Sequence, residues 1–88
     1  MNRVQAILTI DTDNLPDNFP EILKEEQAVV ALWKEQGFLD HFFLRQTKNG
    51  AVLIFKDLEE EKVKELMQQL PFYKLKKSIE YFSLIKQY

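Results

Sequence analysis

The chain has 88 residues, 45% of them apolar and 30% charged. That is enough for one domain with one modest core, and too apolar for a disordered chain. With 12 Lys and Arg against 14 Asp and Glu, the net charge is −2, which argues against a basic nucleic-acid face. Cysteine is absent, so disulfides, thiolate metal sites and thiol catalysis are excluded. One histidine excludes a multi-histidine metal centre, and no Asp-rich calcium loop is present. No run approaches the roughly 18–20 apolar residues that span a bilayer. The first residues also lack a signal peptide's apolar stretch. The expectation is a cytoplasmic protein with no membrane or nucleic-acid partner.

Residues 3–10 alternate, with Val4, Ala6, Leu8 and Ile10 on one face, and read as a strand with that face buried. Asp11 to Pro16 supplies loop breakers. Asn18 to Gln36 reads as a long helix. Asn18 and Glu21 have capping-box spacing, Pro20 falls in the first turn, and Gly37 is the stop. Its apolar stripe is Phe19, Ile22, Leu23, Val29, Val30 and Trp33. Residues 38–46 read as a second strand, Lys48-Asn49-Gly50 as a tight turn using positive φ, and residues 51–56 as a third strand. Asp57 and Glu60 have capping-box spacing ahead of a second helix. That helix has Leu58, Val63, Leu66, Met67 and Leu70 on one face and Pro71 as its stop. Lys74, Lys76 and Lys77 read as a solvated edge. Residues 78–86 form the last strand.

The order β-α-β-β-α-β over residues 1–88 predicts a single ferredoxin-like α+β domain: a four-stranded antiparallel sheet with two helices on one face. Seven phenylalanines, three tyrosines and one tryptophan are many for two thin layers. Residues 38–46 and 51–56 each carry large apolar groups at both parities. A sheet apolar on both faces needs a second cover, so a homodimer or larger homo-oligomer is expected.

Glu26 breaks the pattern of the first helix. At about 100° per residue from Phe19, the stripe runs from roughly −80° at Val29 to roughly +40° at Leu23, and Glu26 falls near −20°. An inward carboxylate has a raised pKa, and one near neutrality suits general acid–base work. The alternative is a structural glutamate at the helix flank or paired with a cation.

His41 is the second candidate. Glu26 lies about 16 Å before the Gly37 turn and His41 about 13 Å after it, so their side chains stand at similar heights. They meet only if His41 faces the helix. Parity leaves that open, putting Leu39, His41, Phe43 and Arg45 on one face and Phe38, Asp40, Phe42 and Leu44 on the other. Arg45 suits a carboxylate anchor or a rim ion pair. Tyr73, Tyr81 and Tyr88 are hydrogen-bond donors or edge packing, with Tyr81 the candidate for substrate binding. Two glycines allow no phosphate loop, and Ser78 and Ser83 have no nucleophile elbow.

The stretches ILKEEQAVVALWKEQG, FLDHFFLR, IFKD and LMQQLPFY, in this order and spacing, resemble the muconolactone isomerase family over roughly residues 20–75. The resemblance implies a protomer of the dimeric α/β barrel type. It also implies cofactor-independent proton transfer on a small unsaturated lactone or carboxylate. Glu26 and His41 fall at the family's glutamate and histidine positions. Ala28-Val29-Val30 replaces a more polar run there. The alternative function is a non-catalytic module of the same fold that binds a small-molecule ligand or a protein.

Overall fold

A computed structural model describes residues 2–46 and 49–87. In chain order the elements are β1 (Asn2–Ile10), α1 (Phe19–Glu35), β2 (Leu39–Leu44), β3 (Gly50–Lys56), α2 (Glu60–Met67) and β4 (Lys76–Ile85). Two 3-10 turns, Thr12–Asn14 and Pro71–Leu75, join them. The strands form one sheet in the order β2-β3-β1-β4 with every pair antiparallel. This is the expected ferredoxin-like sandwich.

The alternation of β1 sorts the sheet's two faces. Val4, Ala6, Leu8 and Ile10 are buried, as are Leu53 and Phe55 of β3. On this inner face α1 places Val30 and Trp33, and α2 places Val63, Leu66 and Met67. The Trp33 and Phe55 rings sit 5.7 Å apart at a tilt. The outer face follows from the same register. It carries Ile7 of β1, Phe43 of β2, Val52 and Ile54 of β3, and Phe82 and Leu84 of β4. Phe43 is 56% exposed and Phe82 45%. The second apolar face read from the sequence is therefore present.

Gly37 ends α1 as its type predicts. At φ +85° it sends its N–H to the Lys34 carbonyl, while Phe38 N–H reaches the Trp33 carbonyl, a Schellman closure. Neither expected capping box forms. The Asn18 side chain makes no cap bond; its backbone carbonyl accepts from Glu21 and Ile22 instead. Asp57 turns the chain at φ +59°, so α2 starts at Glu60 with Glu59 as its cap residue.

The α2 boundaries are tighter than the sequence suggested. The helix stops at Met67, before Pro71, and buried Leu70 and half-buried Leu58 pack from outside it. Pro71 instead opens the following 3-10 turn, and β4 begins at Lys76. β2 is shorter than expected, because Phe38 is spent on the Schellman closure and Arg45 lies past the last strand residue. In the β2–β3 turn, Lys48 lies outside the described residues, and Gly50 has no positive φ. Its glycine serves close approach: a Cβ there would collide with the Leu8 carbonyl oxygen.

Candidate active site

Helix geometry alone carries Glu26 inward, and it is 3% exposed. Its Oε1 accepts a 3.0 Å hydrogen bond from the Phe72 backbone N–H. Burial pushes the carboxyl up to about 7, and the Phe72 amide, which favours the charged form, opposes that rise. The group therefore sits in a dry layer near the pKa at which it both takes and returns protons at neutral pH.

The Phe72 amide is available because of its turn. Pro71 and Phe72 open the 3-10 turn Pro71–Leu75, and the first amides of a helical turn have no partner within it. Tyr73 N–H already bonds the Leu70 carbonyl. The Phe72 ring stacks on Phe19 of α1, with centroids 5.6 Å apart and planes 10° apart. The sequence reading found Glu26 but missed its donor. Long-range backbone contacts leave no periodic signal in a sequence.

His41 does not join Glu26. An irregularity between Leu39 and His41 breaks the strand's alternation. Leu39 stays buried opposite Phe55, while His41 pairs with Ile54 and faces outward. The face grouping of Leu39 with His41 is therefore corrected: Leu39 packs inward, whereas His41 and Phe43 lie outward. His41 has a 59% exposed side chain, stacks on Phe43 at 6.0 Å, and places Nε2 3.6 Å from Asp40 Oδ2.

Arg45 also lies with the outer face. Its Nη1 donates to Thr9 Oγ1 at 3.0 Å, with the pair exposed to solvent. Tyr81 stays on the inner side, opposite fully buried Ala6, with Lys64 Nζ 5.6 Å from its ring centroid. Burial, reinforced by Tyr73, raises its phenol, so it remains a donor at neutral pH. The sheet thus separates Glu26 and Tyr81 from His41 and Arg45 within the chain.

Among the described residues, clefts open on the surface. One, about 210 Å³, lies between α1 and the edge of β2, lined by Val30, Lys34, Leu39, Asp40, His41 and Phe42 among others. Another, about 440 Å³, lies near Arg3, Leu58, Glu59 and Leu84. Glu26 lines neither. Among the described residues no cluster of His, Asp or Glu is placed to hold a metal ion, and no helix is long and apolar enough to cross a membrane.

The strand order, the two helices on one face and the inward glutamate permit a comparison with solved structures. The chain has the fold of muconolactone isomerase. Superposition on a crystal structure of that enzyme gives a TM-score of 0.76 over 99% of this chain and 91% of the other, at 16% identity. The 5-chloro-2-hydroxyhydroquinone dehydrochlorinase of Burkholderia phenoliruptrix is similar at TM-score 0.59 and 16% identity, covering 94% of this chain and 93% of that one. The cofactor-independent oxygenase SnoaB of Streptomyces nogalater is similar at TM-score 0.50 and 14% identity, covering 99% and 93%. No protein-family model matches the chain, and no curated protein matches it by sequence.

Proposed function

We propose that this protein is a cofactor-independent, muconolactone isomerase-like enzyme that moves a proton within a small unsaturated lactone or carboxylate. Glu26 is its acid–base group. The observation that carries this reading is a carboxyl group sunk in an apolar layer, held by a backbone amide rather than by a cation. Two enzymes that share the fold, muconolactone isomerase and the dehydrochlorinase, act on small molecules by their names.

The chemistry needs no redox partner. Glu26 as carboxylate takes a proton from the saturated carbon next to the double bond that is conjugated with the carbonyl. The C–H electron pair flows through the double bond to the carbonyl oxygen. The neutral acid then returns the proton at a different carbon as the dienolate collapses, so the double bond moves and nothing is oxidised. Tyr81, on the same side of the sheet, is the proposed donor to the substrate.

The same reading makes the protein a homodimer through the apolar outer face. His41 and Arg45, expected as acid–base partner and carboxylate anchor beside Glu26, are assigned to that subunit contact instead. The clefts favour a second reading, a non-catalytic module, because neither adjoins Glu26.

The test is isomerisation and solvent-deuterium uptake by a panel of carboxylate-bearing unsaturated lactones, followed by proton NMR. The native protein is expected to exchange the C–H on the saturated carbon beside the conjugated double bond. Glu26→Gln is expected to lose about 10²–10⁴ in rate. A native protein that binds lactones without exchanging them supports the second reading.

A further inference from the structure

Phe19 and Glu26 are seven residues apart on α1, which is about two turns, so both project from one face of the helix roughly 10 Å apart along its axis. Phe72 spans that interval. Its ring stacks on Phe19 at 5.6 Å, and its N–H donates to Glu26 at 3.0 Å. One residue of the 3-10 turn is thus tied to α1 at two points, by its side chain and by its backbone. Proline at 71 fixes the chain just before it and removes the neighbouring amide.

We propose that Phe19 is a positioning residue for Glu26: its ring, stacked on Phe72, aims the Phe72 amide at the Glu26 carboxylate. The argument is geometric. The 3-10 turn has no long-range backbone ladder of its own at Phe72, so the direction of that amide depends on where the ring is seated. The stack fixes the ring with near-parallel planes. Phe72 is nearly buried and Phe19 partly so, and each protects the other from water.

Among the titratable groups on elements packed against α1 are Tyr73 and Lys74 of the 3-10 turn, Asp40 and His41 of β2 and Lys56 of β3. None of them is a cause of the Glu26 shift, which comes from burial and the Phe72 amide. The proton affinity of Glu26 therefore reports on its burial and on this one hydrogen bond, with no charged neighbour among its causes.

The inference rests on Glu26 being the acid–base group, but its test is separate. Activity of Glu26→Gln decides that reading; the carboxyl titration decides this one. The experiment follows the Glu26 carboxyl carbon by NMR against pH in the native protein, Phe19→Leu and Phe19→Tyr. Leucine keeps the apolar cover and removes the stack. Its midpoint is expected to rise by about 0.5–1 unit, as a weakened charge-assisted hydrogen bond requires.

Tyrosine keeps the stack and is expected to titrate like the native protein. An unchanged midpoint in Phe19→Leu overturns the proposal. So does a fall, which marks water entry and makes the ring a seal rather than an aiming device. Should Phe19→Leu fail to fold, Phe19→Met takes its place, and the premise is checked in the native protein. Its Phe72 amide proton is expected to shift together with the Glu26 carboxyl carbon, and an amide insensitive to pH through that window overturns the proposal.

Discussion

Arg3 and Asp40 meet on the outer face of the sheet, Nε to Oδ2 at 3.0 Å, although β3 runs between their strands. The arginine side chain is 9% exposed and the aspartate 22%. The bond to Arg3 holds the Asp40 carboxyl below its usual range. A carboxylate whose folded pKa is depressed adds stability above its unfolded value of 3.8, and that stability is lost as pH falls through the folded value. Asp40→Ala leaves a nearly buried guanidinium without this partner. It is expected to cost about 1–3 kcal/mol near pH 7 and much less in strong acid. Urea unfolding at pH 7 and pH 2.5 checks both figures, and equal losses at the two pH values would contradict the pairing.

That pair also marks where reading the sequence stopped. The alternation of β1 and the angular position of Glu26 are local periodicities, so the strand's buried face and the inward carboxylate were both legible. Asp40 and His41 were not, because the irregularity after Leu39 shifts the parity of β2 at its first residue. Nothing in residues 38–46 announces that shift, which appears only in the pairing with β3. The Phe72 amide was equally invisible, being a backbone group brought 46 positions along the chain to Glu26. The missed caps have a local cause. Asp57 has the sequence spacing of a helix cap, but a short polar side chain also tolerates the left-handed region, and the chain uses it there to turn.

Glu26 gives the opposite pH signature to Asp40. Its carboxyl is raised from 4.5 to about 7 on folding, so between those values the unfolded chain releases a proton that the folded chain keeps. Stability therefore falls as pH rises from 4.5 to 7, by on the order of 3 kcal/mol if the whole shift is realised, and is flat beyond. Glu26→Gln is expected to remove that slope while leaving the acid limb of Asp40 in place. Denaturant midpoints at half-unit pH steps measure it, and a native protein with no decline across this window would show the carboxyl to be hydrated.

The outer face predicts an assembly defect that spares the fold. Phe43 is 56% exposed and stands in a row with Val52 and Ile7, apolar residues of the two central strands. A charge placed there costs little in a monomer, since the position is open to water, but is costly once desolvated against a second sheet. Phe43→Asp is expected to convert a dimer into a folded monomer at micromolar concentration. Sedimentation velocity with far-UV circular dichroism reads both properties. A native protein that sediments as a monomer would remove the subunit contact from the proposal.

The two glycines are expected to fail differently when a methyl group is added. Gly37 sits at φ +85° with open space where a Cβ would go, so Gly37→Ala meets only the conformational penalty of the left-handed region, about 1–2 kcal/mol. Gly50 lies outside the left-handed region, but its Cβ would strike the Leu8 carbonyl on the neighbouring strand. Backbone on both sides cannot rotate away, so β3 must separate from β1, at a cost of about 1–3 kcal/mol or more. Gly37→Asn separates the mechanisms, because asparagine accepts positive φ and is expected to recover much of the loss at 37. Asparagine at 50 still carries the clashing Cβ and recovers nothing. Thermal unfolding of the four variants measures the contrast, and recovery at both positions would show that Gly50, too, is selected for backbone freedom rather than for close approach.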